Sequence, residues 1–324
     1  MTERVITTAV TEAQQLLSGY LHITPLLVDS DLADAPVYLK NETELPTGSF
    51  KVRGAIYALA KTLRIRSLSE VVASSTGNHG AAVAWAAKML GVAATIFLPK
   101  NPNVVKRKRI EELGARVVEV GGADLAAATV EATVYSKRIG AYYLNDATDS
   151  HVPEGTATIG LELLDQLPSV VSIYVPMGDT ALIRGVAAAV KTSNPRVTII
   201  GVQAEGAPAY YRSWKSRNPV STLTCATCAD GLATRIPEPQ NVAAICRLVD
   251  DVVLVSDEEM MTAIRLLYHK SGIVAEPAGA AATAAFRKQS SATKPSGPAV
   301  ALVTGSNISS ALRVQAGLPE QLSV

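Results

Sequence analysis

Short apolar runs alternate with longer stretches of helical period along most of the chain. "VVASS" (71–75) is an apolar run closed by the glycine turn "TGNHG", and residues 81–90 then follow with helical spacing. "AATIFLP" (93–99) predicts a second strand, 103–113 a helix, and "ARVVEV" (115–120) a third strand. "GGADLAAATVEATVYSKRIG" predicts another helix, leading into "AYYLND". The order then repeats with helix "TATIGLELLDQL", strand "VSIYVPMG", helix "TALIRGVAAAVKT" and strand "RVTIIGVQAE". A strand and helix in "DVVLVSDEEMMTAIRLLYHKSG", a helix in "GAAATAAFRK" and a late strand in "PAVALVTGS" complete it. Such alternation predicts parallel sheets covered by helices on both faces, with ligand chemistry at the carboxyl ends of the strands. The stretch 206–239 reads as a long irregular loop and "SSATKPSGP" (290–298) as a surface connection. No period of ~20–50 residues supports a solenoid.

Composition narrows the class. The 324 residues suffice for two medium α/β units, and a 48% hydrophobic, 5% aromatic make-up suits close packing. A net charge of +1 gives no general attraction to nucleic acid or to membranes. The polar, acid-bearing start "MTERVITTAVTEAQQLL" is unlike a signal or transit peptide. No uncharged apolar run approaches the ~20 residues of a membrane span. Three cysteines point to reduced thiols, so a soluble cytoplasmic protein is expected.

Candidate chemistry sits on four glycine-bearing turns: "TGSFK", "SSTGNHG", "VPMGDTAL" and "LVTGSN". A sharp turn after a strand presents amide groups to an anion at the next helix N-terminus. An ordinary βα turn uses glycine as well, so no single turn identifies a site. Lys51, however, lies in the apolar turn "GSFKVRGA", where burial is expected to lower its pKa and free a nucleophilic amine. Together, the turns and the lysine suggest a buried anionic cofactor bound to an amine.

"KNETELPTGSFKVRGA", "SSTGNHGAAVAWAAKMLG", "EGTATIGLEL", "DGLATRIP" and "EPAGAAATAA" resemble, in the same order, segments of the serine/threonine dehydratase family. These are pyridoxal 5'-phosphate enzymes of fold type II, the tryptophan-synthase-β-like group, which includes serine racemases. The similar segments run from about Leu39 to Ser309. The resemblance implies two open twisted α/β/α domains: a larger one from 1–62 and 150–324, and a smaller one from 63–149. It implies that Lys51 forms the Schiff base with the cofactor, that Phe50 lies beside it and that Asn78 bonds the ring hydroxyl. Ser75, Thr76, Gly77 and His79 would hold the substrate carboxylate. Thr304 would meet the pyridine nitrogen; a neutral hydroxyl there keeps charge out of the ring and favours expulsion of a β-substituent. Gly231 and Glu276 fall in segments near the cofactor, although Glu276 equally reads as a helix-start carboxylate. The freed lysine amine would take the substrate's Cα proton.

The chain departs from the family in places. Gly178, Asp179, Thr180 and Ala181, followed by Leu182, replace a tetraglycine phosphate loop. A carboxylate is unwelcome beside a phosphate dianion, so Asp179 is expected to turn away and cap the next helix. Thr76 stands where racemases have a serine acting on the opposite face, and Gln203 where relatives with a divalent cation commonly have glutamate. No metal is therefore expected. "CATC" (225–228) lacks a second pair, "KRKR" (106–109) reads as a solvated helix face, and His22, His151 and His269 lack metal spacing. The expected activity is dehydration and deamination of a small β-hydroxy amino acid such as threonine or serine, by a homo-oligomer, a dimer. Racemisation, β-replacement and non-catalytic cofactor binding are the alternatives.

Overall fold

The computed structural model describes residues 3–319 except 34, 76, 103, 123, 124 and 294. Helix α1 (Glu3–Leu17) precedes β1 (Leu26–Asp29) and β2 (Val37–Asn41), and α2 (Lys51–Ile65) begins on the lysine itself. Next come β3 (Glu70–Ser74), α3 (Asn78–Leu90), β4 (Ala93–Leu98), α4 (Val104–Glu112), β5 (Arg116–Glu119), α5 (Leu125–Ile139) and β6 (Tyr142–Tyr143). The second half runs α6 (Val152–Gln166), β7 (Ser172–Pro176), α7 (Ala181–Ser193), β8 (Thr198–Ala204), α8 (Ala209–Ser216) and α9 (Pro239–Leu248). It closes with β9 (Asp251–Val255), α10 (Asp257–Ser271), α11 (Pro277–Ala292), β10 (Ala299–Val303) and α12 (Ser310–Gln315).

Two sheets result. The larger has the order β1-β2-β10-β7-β8-β9 and is parallel except for β1 against β2; the smaller, β5-β4-β3-β6, is wholly parallel. Alternate side chains leave a strand on opposite faces, which decides what each face meets. On β10, Ala299, Ala301 and Val303 join Ile264 and Phe286 of α10 and α11, whereas Val300 and Leu302 join Leu163 of α6 and Ile183 and Val186 of α7. On β3, Val71 and Ala73 face α2 and α3, and Val72 faces Ala128 and Ala132 of α5. Each sheet is thus covered on both faces, giving the three-layer α/β/α arrangement expected. Among the described residues no helix is long and apolar enough to cross a membrane.

The stretch 206–239 is less irregular than expected, since it holds α8 and a single 3₁₀ turn at Asp230–Leu232. Helix α6 starts at Val152, earlier than its apolar period, because Pro153 suits a first helical turn.

The polar run "KNETELPT" belongs in part to the interior. Arg53 of α2 donates to both oxygens of Glu42 (Nε 2.7 Å, Nη2 3.0 Å) and of Glu162 in α6 (Nη1 2.5 Å, Nη2 2.9 Å). Lys40 Nζ of β2 reaches Glu162 Oε2 at 2.6 Å and Thr24 O at 2.8 Å. Two cations and two carboxylates, all buried, therefore balance each other and pin the first turn of α2 to β2 and α6.

Candidate active site

Lys51 occupies its place because its flanks are strapped to the segment after β10. Phe50 N donates to Thr304 O at 3.1 Å, Ser306 N to Gly48 O at 2.9 Å, and Ser49 bridges Gly305 antiparallel. Gly48 is left-handed (φ +64°), and a Cβ there would lie 2.8 Å from Ser306 Oγ, so the approach needs glycine. The lysine is therefore not in an isolated turn: it opens α2.

From that end Lys51 faces a cavity of about 670 Å³ between the two sheets. Every sequence-derived candidate with a described position lines it. Ser75 and Gly77 follow β3, while Asn78 and His79 open α3. Gly178, Asp179, Thr180, Ala181 and Leu182 lead from β7 into α7, and Phe50, Gly231, Glu276 and Thr304 complete the set. Thr76 lies outside the described residues. Most of these positions follow the carboxyl ends of parallel strands or open the next helix, where doubly wound sheets bind ligands.

Other residues were not legible as site residues. Asp146, on the turn after β6, forms an ion pair with Lys51 Nζ, and His79 Nδ1 lies 3.7 Å from the same carboxylate oxygen. The Lys51 pKa moves opposite to the direction expected: burial lowers it, but the charges of Asp146, Asp179 and Glu276 raise it by more. Burial likewise raises the Asp146 carboxyl, yet His79 and Lys51 hold it well below the usual carboxylate range. Across the cavity, Asn78 Nδ2 donates to Glu276 Oε1 at 2.6 Å. Asn307 Nδ2 donates to Asn78 Oδ1 at 2.5 Å, and Arg109 donates to Asn307 Oδ1 and, at 2.8 Å, to Thr47 O. Arg109 of "KRKR" therefore points inward, unlike the solvated face expected, because its guanidinium finds carbonyl and amide acceptors at the cavity wall. Glu276 does stand at the start of α11, but its carboxylate serves Asn78 rather than a capping bond.

Asp179 also differs from expectation. Helix α7 has no side-chain cap; Thr180 holds the N-cap position in the left-handed region (φ +71°). The Asp179 carboxylate instead accepts from Thr234 Oγ1 at 3.2 Å inside the cavity. Burial and the neighbouring Asp146 raise its pKa.

Residues 17–305 match the family described as "Pyridoxal-phosphate dependent enzyme". The chain belongs to this family. Among its relatives, an L-threonine ammonia-lyase of Thermotoga maritima is 37% identical over 85% of this chain and 69% of its own length. Threonine deaminase isoform 2 of Solanum lycopersicum, in its processed form, has a solved structure that superposes with a TM-score of 0.92. It is 27% identical and covers 98% of this chain and 88% of its own. Maize serine racemase gives 0.89, at 29% identity and 96% of each chain.

The cavity of this pyridoxal-phosphate-dependent protein fits such a cofactor. A Cβ on Gly178 would collide with Gly231 O, so the loop entering α7 lies bare against its neighbour and leaves its amides to the cavity. Gly77 has φ −124°, which does not itself require glycine, and open space where a Cβ would stand. The amine of Lys51 shares the cavity with both. Asp179 is the exception in this donor set, a carboxylate whose pKa burial and Asp146 raise.

Proposed function

We propose that this protein is an ammonia-lyase that removes water and then ammonia from a small β-hydroxy amino acid, threonine or serine, leaving a 2-oxo acid. The observation that carries this reading is one cavity in which the Lys51 amine meets Ser75, Gly77, the α7 N-terminus and Thr304. Kinship with the Thermotoga maritima L-threonine ammonia-lyase supports the same substrate class. Bound pyridoxal phosphate supplies an electron sink for the substrate's Cα.

The protein's own residues divide the remaining work. Lys51 holds the cofactor through its amine and, once released, takes the Cα proton. The amides and hydroxyls of Ser75, Gly77 and, outside the described residues, Thr76 receive the substrate carboxylate. The loop Gly178–Leu182 receives the phosphate at the start of α7. Thr304 would present a neutral hydroxyl to the ring nitrogen, Asn78 would bond the ring hydroxyl, and Phe50 would pack beside the ring. His79 is buried, with Nε2 at 2.9 Å from Leu144 O, which supports an orienting role more than an exposed acid. Three free cysteines support a reducing compartment, the cytoplasm, and a homodimer completes the reading.

A panel of β-substituted amino acids, scored for 2-oxo acid and for D-amino acid, tests the assignment. Threonine or serine is expected to give 2-oxo acid and ammonia. Lys51→Ala is expected to lose both turnover and the borohydride-trappable cofactor adduct while keeping its fold. A D-amino acid as the main product, or a Lys51→Ala chain that still eliminates, would refute it.

A further inference from the structure

Asp146 belongs to no motif that marked the cavity, yet it is the residue in direct contact with the Lys51 amine. Its position is built from several sides. Asn145 Oδ1 accepts from Ala147 N at 2.9 Å and shapes the turn. Ala147 O accepts from Arg184 Nη2 at 3.2 Å and from Asn241 Nδ2 at 2.9 Å, and the same Asn241 amide reaches Asp179 O at 3.2 Å. The turn is thereby tied to the loop that opens α7. Behind the carboxylate, His79 Nε2 faces Leu144 O, which can only accept, so Nε2 carries a proton and Nδ1 is turned toward Asp146. A chain that needed Lys51 only as a tether would gain little from a carboxylate fixed against it. An anion there favours the charged amine and makes it a stronger base.

We propose that Asp146 is a catalytic residue, which holds the ammonium that Lys51 becomes on taking the substrate's Cα proton. The proposal rests on the ammonia-lyase reading, and the step balances within it. The Cα–H electron pair becomes the second bond between Cα and Cβ while the proton moves to Lys51. The Cβ–O bond breaks, and hydroxide departs with its electron pair. The proton leaves with the hydroxide as water, which returns Lys51 to the neutral amine. Asp146 stays ionised throughout.

Asp146→Asn in the holoenzyme tests this. Turnover of the β-hydroxy substrate is expected to fall at least ~10-fold with KM within ~3-fold, because the loss falls on proton transfer. The deuterium isotope effect at Cα is expected to rise, and the acidic limb of the kcat profile to move to lower pH. The other titratable and charged groups around the Lys51–Asp146 pair (Asp179 from the α7 loop, Glu276 from α11, His79 from α3 and Arg184 from α7) are unchanged in that variant. Asp146→Glu, which keeps the charge, is expected to recover part of the loss. Asp146→Ser is the second neutral variant should asparagine not fold. A neutral variant with kcat within ~2-fold of wild type and an unmoved limb would overturn the proposal. A second readout does not depend on lyase activity. In the full chain stripped of cofactor, added pyridoxal phosphate condenses with neutral Lys51, so the asparagine variant is expected to form the trappable adduct about tenfold faster at pH 7. Unchanged condensation would overturn the proposal even if no β-hydroxy amino acid is a substrate. Wild-type failure on every substrate with faster condensation in the variant would sink only the ammonia-lyase reading.

Discussion

Replacing Arg53 with methionine breaks the buried charge cluster at its centre. Methionine keeps most of the volume but removes four charge-assisted hydrogen bonds, at 2.5–3.0 Å, from Glu42 and Glu162. Two buried carboxylates would then face one remaining cation, Lys40. Removing one partner of a buried ion pair costs about 3–5 kcal/mol, mostly from the charge left uncompensated. In a chain of this size that is a fall in Tm of about 4–7 °C. The assay is thermal melting at fixed saturating cofactor, because binding otherwise shifts the midpoint. The acid side gives a second reading. Burial raises the Glu162 carboxyl, but Arg53 and Lys40 together bring it below the ordinary carboxylate value. Stability from such a group is present above its unfolded pKa and is lost as pH falls through the folded one. With Arg53 gone the folded pKa rises, so the loss begins at higher pH. Lys191→Met, which breaks the part-exposed pair with Asp250, is the comparison and should cost under about 1 kcal/mol. A Tm drop no larger for Arg53→Met than for Lys191→Met would refute the reasoning.

The remaining predictions concern the cofactor loop and the metal question. Asp179 is not a cap, so Asp179→Asn is expected to leave the Tm of the cofactor-free chain undiminished. An Asp179 anion opposes the phosphate, so wild-type cofactor affinity is expected to weaken as pH rises through the ionisation of this carboxyl, whose pKa burial and Asp146 raise. The asparagine variant should lack that trend and bind more tightly at pH 8, as read by titrating the visible absorbance; weaker binding there would count against it. Gln203 Oε1 accepts from Tyr211 N at 2.8 Å, so the oxygen that replaces a carboxylate ligand is already engaged. Chelator treatment is expected to leave turnover within ~2-fold; collapse with recovery on magnesium or calcium would show a cation site.

What the sequence reveals here follows from how local each requirement is. Gly178, Gly48 and the residues beside Lys51 are marked because a close backbone approach or a left-handed φ leaves its trace at the residue concerned. The two faces of β10 and β3 are legible for the same reason, since period and burial share one short segment. Asp146 is one of two acids in "YLNDATDS", and its partner Lys51 is 95 positions away. No spacing connects them. The burial of Lys40 and Glu42 has no local mark, because the guanidinium that neutralises Glu42 comes from Arg53 on the next helix and the carboxylate that balances Lys40 from α6. Arg109 and Asp179 follow the same rule: local sequence suggests solvent for one and a cap for the other, whereas the fold supplies Asn307 and Thr47 to the first and Thr234 to the second.

These distant partners alter what the lysine motif means. Lys51 is the first residue of α2, where the unsatisfied amide groups of a helix start disfavour a cation. Burial disfavours it as well, and from these two effects alone the amine would be neutral and easily loaded. Asp146, Asp179 and Glu276 act in the other direction from three separate elements, and their sum wins. The site therefore holds its base between opposing influences, each of which belongs to a different part of the fold. Sequence near Lys51 carries only the influences that lower its pKa. Those that raise it come from the turn after β6, the loop into α7 and the start of α11, so the strength of the base is a property of the assembled cavity.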